Sequence, residues 1–356
     1  MGLTEKFTAL ADKIRKRLST TKAMTLAEMS AAIDSVGGPE IKVLDNTLTE
    51  YSNDTLTAVR AYAFYYCGAL TSVDLPSVTS IGEYGFGQCT KLTSINLPSV
   101  TSIDRDGFSG CSKLQSVSFP NITTITHYVF QNCSSLKSVN LPLVTSIGSR
   151  SFYNCTSLVS CNFPNLLSVS SYSFQNCQKL TTFEAPLLKT VSGADAFKSC
   201  KALTEINLPK LESAYTSMFN GCTSLIRVDL PTLTIIPDDM FSSCTSLTTL
   251  NIPNVYKIAG RFLSCTSLTR LDLPRVTTMG QSNFSGCTNL ETIILRATWE
   301  IPYAPKDLTG TKIAAGEGYF YVPREMYDTY AAEATWAPYL SQIRFIEDYP
   351  DICGTT

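Results

Sequence analysis

Apolar side chains recur along most of the chain at a spacing of 22 residues. One unit begins with Cys89, continues with Leu92 and Ile95, and reaches a proline after one more leucine. A second apolar pair and a phenylalanine complete the unit before the next cysteine. The spacing becomes 23 residues before Cys200 and 21 residues before Cys265. The eleven repeat cysteines are Cys67, Cys89, Cys111, Cys133, Cys155, Cys177, Cys200, Cys222, Cys244, Cys265 and Cys287.

This repeat predicts a solenoid in which every unit forms one coil. The segment L-x-x-V-x-L alternates apolar and polar positions towards its end, as a short strand with one buried face does. The proline that follows cannot donate a hydrogen bond to a sheet, so it should end the strand. Since no coil can bury its apolar side chains alone, we expect the strands to stack in parallel into a single long sheet over a shared core.

The two coils of unusual length indicate where the surface turn lies. The second apolar pair ends five residues before the phenylalanine in most units, but six in the unit of Val191 and Phe197 and four in the unit of Ile258 and Phe262. The other apolar spacings are kept. We therefore predict an exposed turn before each phenylalanine.

Both ends of the chain depart from the repeat. Residues 3–36 place apolar side chains at helical spacing, with a capping box before the second helix and a Gly-Gly-Pro stop after it. We predict a helical hairpin over 1–38 that attaches the chain to a partner, to its own copies or to the first coil. Residues 298–356 predict a strand at 319–323, one helix over 324–343 and a last strand within 344–349, which together would form an α/β cap on the open sheet edge.

The chain holds thirteen cysteines. Residues 1–20 lack the apolar stretch of a secretory signal, which favours folding in a reducing cytosol. The repeat cysteines lack the paired C-x-x-C spacing of zinc sites, and parallel side chains rarely reach disulfide geometry. We therefore interpret them as buried core residues, and Cys161, which occupies a strand column filled elsewhere by valine, in the same way. Cys353 lies outside every column and is the one cysteine expected to be exposed.

Catalytic, cofactor and nucleic-acid functions find little support in the composition. The formal net charge is −2 and only 16% of residues are charged, so no basic surface favours nucleic acid. No segment is long and apolar enough to insert into a membrane. The chain has one histidine, His127, and lacks the common motifs of nucleophilic, metal-dependent or phosphate-binding enzymes. We predict no catalytic residues, no metal and no cofactor.

Two rows of exposed positions are the candidate binding surfaces, because a solenoid aligns equivalent residues of successive coils. The first row lies in the turn before each phenylalanine, where the residue type varies while the core barely changes, and tyrosine and arginine are common in binding hot spots. Its candidates, here called the turn row, are Tyr62, Tyr84, Arg105, His127, Tyr128, Arg150 and Tyr172.

The second row, here called the strand face, comprises outward positions of the strands. Its first half is a uniform ladder of serine and asparagine, which we interpret as structural because asparagines can hydrogen-bond from coil to coil. Its second half is varied and charged, and a ligand site there competes with the simpler interpretation of surface ion pairs. The candidates are Glu184, Glu205, Arg227, Asp229, Arg270 and Asp272.

The unit C-x-x-L-x-x-I-x-L-P-x-x-V-x-x-I-x-x-x-x-F resembles the BspA-type leucine-rich repeat of bacterial and protozoan surface proteins. The resemblance covers roughly 60–300 and implies a right-handed leucine-rich-repeat solenoid with a parallel β-sheet, over about eleven repeats within 39–297. The family's I-G turn is kept at Gly82 and Gly148 but replaced at Asp104 and Thr126, which puts the turn geometry in question. The C-terminal segment resembles the closing part of many such arrays.

The sequence FTALADKIRKRLSTTKAMTLAEMSAAIDSV at residues 7–36 also resembles the N-terminal module of phage and prophage tail-associated proteins. Together the two resemblances imply a non-enzymatic, phage tail-associated protein of the virion that binds a bacterial cell-surface protein or glycan, with its hairpin on other tail proteins. The alternative is a bacterial surface adhesin or secreted effector that binds host proteins. A glycan hydrolase is the less favoured alternative, because no pair of carboxylates is bracketed in the sequence.

Overall fold

The computed structural model describes residues 48–280 and 284–354. The helical hairpin expected over 1–38 lies outside the described residues. Within them the chain forms a parallel β solenoid of about 13 turns. No helix among the described residues is long and apolar enough to cross a membrane.

The strands stand in two columns, and every pairing is parallel. The first column contains β1 (Glu50–Ser52), β3 (Ser72–Asp74), β5 (Ser94–Asn96), β7 (Ser116–Ser118), β9 (Ser138–Asn140), β11 (Ser160–Asn162), β13 (Thr182–Glu184), β15 (Glu205–Asn207), β16 (Arg227–Asp229), β18 (Thr249–Asn251), β20 (Arg270–Leu273), β22 (Thr292–Leu295), β23 (Tyr319–Val322) and β24 (Ile343–Phe345). The second column contains β2 (Ala58–Val59), β4 (Ser80–Ile81), β6 (Ser102–Ile103), β8 (Thr124–Ile125), β10 (Ser146–Ile147), β12 (Ser168–Val169), β14 (Thr190–Val191), β17 (Ile235–Ile236), β19 (Lys257–Ile258) and β21 (Thr278–Met279).

The register of the strands repeats the spacing of the sequence. Ser72, Val73 and Asp74 of β3 pair with the residues 22 positions later in β5. The middle residue of each first-column strand faces the core, and its two neighbours face outward. Equivalent residues of successive coils therefore lie side by side, as the repeat predicts.

The expectation of a single long sheet is wrong. Among the described residues the first column divides into the groups β1–β5, β7–β13, β15–β18 and β20–β24. The break between β13 and β15 follows the 23-residue coil, and the break between β18 and β20 follows the 21-residue coil. Strands of three residues have so few ladder bonds that a small shift between coils ends the pairing. The break between β5 and β7 falls at a coil of ordinary length, and nothing in the structure explains it.

The interior is a set of stacked columns. The repeat phenylalanines are fully buried and near-parallel from Phe64 to Phe284. Ring centroids of successive coils lie between 4.9 Å, for Phe64 and Phe86, and 5.9 Å, for Phe219 and Phe241. The repeat leucines are also fully buried, from Leu70 through Leu290. This continuous core gives the outer residues a rigid frame.

The C-terminal segment continues the first column beyond the last repeat. Strand β23 pairs with β22, and β24 pairs with β23. The single helix predicted over 324–343 is wrong: the segment forms a 3-10 turn at Arg324–Met326, helix α1 at Tyr327–Ala332 and a 3-10 helix at Ala334–Gln342. Glu333 is extended and Pro338 removes a backbone donor, so one regular helix cannot form. The capping role of the segment stays a prediction.

Candidate recognition surfaces

The cysteine ladder is interior, as expected. All thirteen cysteines are buried and none forms a disulfide. From Cys89 to Cys287 each repeat cysteine donates its S–H to the carbonyl oxygen of the phenylalanine in the preceding coil, as in Cys89 Sγ to Phe64 O at 3.0 Å and Cys133 Sγ to Phe108 O at 3.2 Å. Burial raises the pKa of the Cys133 thiol to about 12. The cysteine therefore fills space and also donates a second hydrogen bond to a buried carbonyl, since Phe108 O already accepts from the Cys111 N–H at 3.1 Å.

The prediction that Cys353 is exposed is wrong. Cys353 lies at the end of helix α2 (Pro350–Cys353) and is only 2% exposed. It packs in a small cluster with Ile294, Tyr321 and Ile346. Ile294 occupies an outward strand position that is polar in earlier coils, so the C-terminal segment covers an apolar patch that the repeat pattern alone does not reveal.

The turn row is built by a tight turn that bonds each coil to the next. Alternate backbone N–H groups point along the stack: the N–H of Tyr62 donates to the Glu83 carbonyl at 2.8 Å, and that of Phe64 donates to Gly85 at 2.8 Å. The N–H groups between them donate within the coil, as Tyr65 does to Tyr62 O at 3.2 Å. The turn is thereby held in one conformation in successive coils.

This turn places two residues of most coils in the left-handed region. The second position, just before the cysteine, holds residues such as Gly110, Asn132 and Asn154, of which glycine and asparagine suit this conformation. The first position lies two residues before the phenylalanine and holds tyrosine, arginine, aspartate or serine, with φ between 52° and 63°. Its members are Tyr62, Tyr84, Asp106, Tyr128, Arg150, Tyr172, Asp195, Ser217 and Asp239. A non-glycine residue there costs about 1–2 kcal/mol.

The side chains of the turn row contact one another along the stack. The rings of Tyr62 and Tyr84 are near-parallel, with centroids 5.2 Å apart. The guanidinium of Arg105 lies 4.7 Å from the Tyr128 ring centroid. The guanidinium of Arg150 lies 4.8 Å from the centroid of Tyr172 and 6.0 Å from that of Tyr128. The sequence candidates therefore form a row of alternating aromatic and cationic groups.

Asp106 interacts with two members of this row, Tyr84 and Arg105. It is 5% exposed, and its carboxylate lies 3.2 Å from Arg105 Nε. Burial, together with the charge of Asp106 and a hydrogen bond to it, raises the pKa of Tyr84 to about 12. The Tyr84 hydroxyl therefore donates to this carboxylate at neutral pH. His127 is exposed, and its Nδ1 accepts from the backbone N–H of Ser149 at 3.0 Å, so it links two coils.

The charged half of the strand face is paired internally. Arg227 Nε lies 3.9 Å from Glu205 Oε1, and Asn251 Nδ2 donates to Asp229 Oδ1 at 2.7 Å. Asp272 accepts from Arg270 at 3.1 Å. In the serine and asparagine half, Asn96 Nδ2 donates to Asp74 Oδ1 at 2.7 Å and Asn140 Nδ2 to Ser118 Oγ at 2.9 Å. These bonds confirm that asparagines link successive coils. Glu184 is exposed at the end of β13.

A model of the BspA-type leucine-rich repeat region matches the chain in six copies, over residues 57–181, 145–261 and 190–302. These matches cover more than half of the chain. The chain belongs to the BspA-type leucine-rich-repeat family. Proteins of this family are typically non-enzymatic binding proteins and typically lie on the bacterial cell surface.

Solved structures of similar proteins come from several bacteria. A leucine-rich cell surface protein of Faecalibacterium prausnitzii is 23% identical, with 84% of this chain and 79% of that chain covered and a TM-score of 0.46. A leucine-rich-repeat protein of Bacteroides ovatus is 26% identical, with coverages of 84% and 92% and a TM-score of 0.47. A leucine-rich-repeat protein of T. pallidum is 32% identical, with coverages of 44% and 78% and a TM-score of 0.41. No curated protein matches the chain.

The departures from the family's I-G turn leave the backbone unchanged. The N–H of Gly82 donates to the Val59 carbonyl at 2.8 Å, and the N–H of Asp104 donates to Ile81 at the same distance. A Cβ at Gly82 would lie 2.6 Å from the Ala61 nitrogen, so glycine is required there by close approach of the preceding coil. The doubt that the sequence raised about the turn geometry is thereby removed.

Three aromatic residues that lie against the turn row were not among the sequence candidates. Tyr65 makes edge contacts with Tyr62 at 5.5 Å and with Tyr84 at 5.1 Å, and its ring lies 4.3 Å from that of Tyr66. The Tyr153 ring lies 5.6 Å from the Arg150 guanidinium. The signal was present in the sequence as tyrosines between the phenylalanine and the cysteine.

Proposed function

We propose that this protein is a non-enzymatic binding or adhesion protein of the bacterial surface, and that the turn row is its main contact surface for a protein or glycan partner. The solenoid acts as a rigid scaffold that holds these side chains in register.

The observation that carries this proposal is the backbone conformation of the turn row. Tyr128 and Arg150 have φ values of 62° and 57°, a region in which glycine or asparagine would cost less. The second left-handed position of the turns is asparagine at Asn132 and Asn154 and serine in three later coils, and only Tyr66 and Gln88 are larger there. Large side chains in a strained conformation are typical of functional sites.

The side-chain types of the turn row favour it over the strand face. Both surfaces have internal ion pairs, such as Arg227 with Glu205 on the strand face and Arg105 with Asp106 at the turn row. In the turn row, tyrosine and arginine present large, semi-rigid surfaces whose burial is favourable in interfaces.

The test is the binding of fluorescently labelled full-length protein to bacterial cells and to epithelial cells. A triple variant Tyr84→Ser, Tyr128→Ser, Tyr172→Ser should lose most binding, because it removes three aromatic contact residues. It should still fold, because serine occurs at the same turn position as Ser217. The matched control is Glu205→Ser, Arg227→Ser on the strand face, which should bind as the parent does. Retained binding in the triple variant, with loss in the control, would move recognition to the strand face.

The second candidate is a phage tail-associated receptor-binding protein. The observation that favours it is the sequence of residues 7–36, which resembles the N-terminal module of tail-associated proteins. Mass spectrometry of particles induced from the source bacterium would detect the chain in purified virions. Its absence from particles, together with detection on the cell surface, would exclude this alternative.

A further inference from the structure

An aromatic-walled groove lies on a different part of the solenoid from either candidate surface. It has a volume of about 630 Å³, within the range of small-molecule sites. It is open to solvent and lies on the outer corner between the first-column and second-column strands. The lining residues are Thr232, Thr234, Asn254, Tyr256, Arg275, Thr277 and Trp299.

The walls of the groove are the two aromatic residues of one column. The position three residues after the repeat proline is threonine in six coils, Thr79 and Thr101 among them, and is Leu167, Lys189 or Glu212 in three others. It is tyrosine at Tyr256, and it is tryptophan at Trp299, where Arg296 stands in the proline position. Thr277 lies between them, so the two aromatic residues stand two coils apart, or about 10 Å at the spacing of parallel strands.

Both aromatic residues face solvent although neither is needed for the core. Trp299 is 62% exposed and Tyr256 is 45% exposed. The core position of the same corner is filled by Val255 and Val276, which are buried. Threonine at the same position in other coils shows that the fold does not require an aromatic side chain there.

The floor of the groove carries oriented polar groups. Asn254 Nδ2 donates to the Pro231 carbonyl at 2.8 Å, which fixes the amide. Its Oδ1 accepts from Arg275 Nη1 at 2.9 Å, which holds the guanidinium. An arginine side chain has five N–H donors, so Arg275 can also bind an acceptor of a ligand. The hydroxyls of Thr232 and Thr277 lie in the same lining.

We propose that this groove binds a saccharide, with preference for one that carries a carboxylate. A pyranose ring presents C–H groups on its faces, which pack on the Tyr256 and Trp299 rings, and hydroxyls at its rim, which match threonine and asparagine. Arg275 pairs with a carboxylate in the geometry that guanidinium groups favour. A nucleic acid would need several cations for its phosphates, and among the described residues of the lining only Arg275 is cationic.

The experiment titrates full-length protein with tetragalacturonate and sialyllactose as acidic probes and with chitotetraose as a neutral probe. Calorimetry gives the affinity. Tryptophan emission reports on the groove, since the chain has two tryptophans and Trp336 is fully buried. The expected result is saturable binding that is tighter for an acidic probe and shifts the emission to shorter wavelength.

The variants Tyr256→Thr and Trp299→Thr introduce the residue of six other coils and should fold as the parent does, with an unchanged melting temperature. Each should weaken the binding of the acidic saccharide by about tenfold or more, as loss of an aromatic stacking partner does for other ring-shaped ligands. Arg275→Gln should abolish the preference for the carboxylate. Tyr215→Thr, which removes an exposed tyrosine outside the groove, should leave binding unchanged.

The proposal is overturned if no acidic probe binds saturably, or if the variants at Tyr256 and Trp299 bind as tightly as the parent. The carboxylate preference is overturned if chitotetraose binds as tightly as the acidic probes. The groove variants separate this proposal from the turn row, because a saccharide bound at the unchanged turn row would keep its affinity in Tyr256→Thr and Trp299→Thr.

Discussion

At the scale of single residues, the repeat cysteine shows how one side chain can meet two demands. Its thiol fills space in the core, and its S–H adds a second hydrogen bond to a phenylalanine carbonyl, as in Cys155 to Phe130 at 3.2 Å, where the Cys133 N–H also donates at 3.1 Å. Cys161 lies in the strand column instead and makes no comparable bond to a phenylalanine carbonyl among the described residues. The two positions allow the packing and bonding contributions to be separated.

Native protein should be unreactive towards the thiol reagent DTNB at pH 8. All thirteen cysteines are buried, Cys353 included, and burial raises the pKa of thiols such as Cys133. The absorbance of released thionitrobenzoate should correspond to less than one thiol per chain, and to all thirteen after denaturation. Rapid reaction of several cysteines in the native state would contradict the interior position of the ladder.

Valine should be tolerated at Cys161 and not at Cys133. Cys161 occupies a column that holds Val117 and Val139, so Cys161→Val should change the unfolding free energy by less than about 0.5 kcal/mol. Cys133→Val removes the donor to Phe108 and adds volume, so it should cost about 1–3 kcal/mol. Denaturation midpoints of the two variants give the comparison, and equal midpoints would show that the S–H bond contributes nothing.

At the scale of elements, the first-column strands and the turns could be predicted closely because each one recurs, whereas the two-residue strands of the second column were not predicted. The sequence places a strand before each proline and a turn before each phenylalanine, and both lie there. The left-handed positions could not be predicted at Tyr128 or Arg150, because these residue types give no signal for positive φ. The C-terminal helix was predicted as one element because its break depends on the extended Glu333 in a segment without repeats.

The second left-handed position should tolerate glycine better than alanine. Asn132 has a φ of 61° and accepts from Asn154 Nδ2 at 3.0 Å. Asn132→Ala loses this bond and places a Cβ without polar compensation in the left-handed region, so it should lower the unfolding free energy by about 1–2 kcal/mol. Asn132→Gly keeps the conformation and should cost about half as much or less. Urea denaturation of both variants measures the difference, and equal losses would argue against backbone strain as the cause.

At the scale of the whole molecule, the coil is the unit of construction. Contacts within the repeat join mainly neighbouring coils, so the number of coils can change while the register between the remaining coils is kept. The sequence predicts the stack well, because equivalent residues must lie side by side. It does not predict the division of the first column into separate groups, since small shifts between coils leave no trace in the pattern. Nor does it predict the cover over Ile294 and Cys353, which pairs residues far apart in the chain.

Removal of one whole coil should leave a folded protein. Deletion of residues 112–133 joins Cys111 to Ser134, so that Cys111 takes the place that Cys133 has in the parent chain. Every column then has one member fewer. Circular dichroism and gel filtration should show a parent-like fold with somewhat lower stability. Deletion of residues 112–122, half a coil, should give an aggregated or unfolded chain. Similar behaviour of the two deletions would contradict the solenoid register.

The central claim is that the turn row binds the partner and that the rest of the turn only supports it. The most direct measurement compares cell binding by Tyr128→Ser and Asn132→Ser, using a cell type that the parent protein binds. Both positions lie in one coil with φ near 60°, at 62° and 61°, and serine occurs at each position elsewhere in the chain, as Ser217 and Ser199. We predict that Tyr128→Ser weakens binding about tenfold or more while Asn132→Ser leaves the affinity unchanged. Equal affinities for both variants and the parent would contradict the assignment of the turn row as the recognition surface.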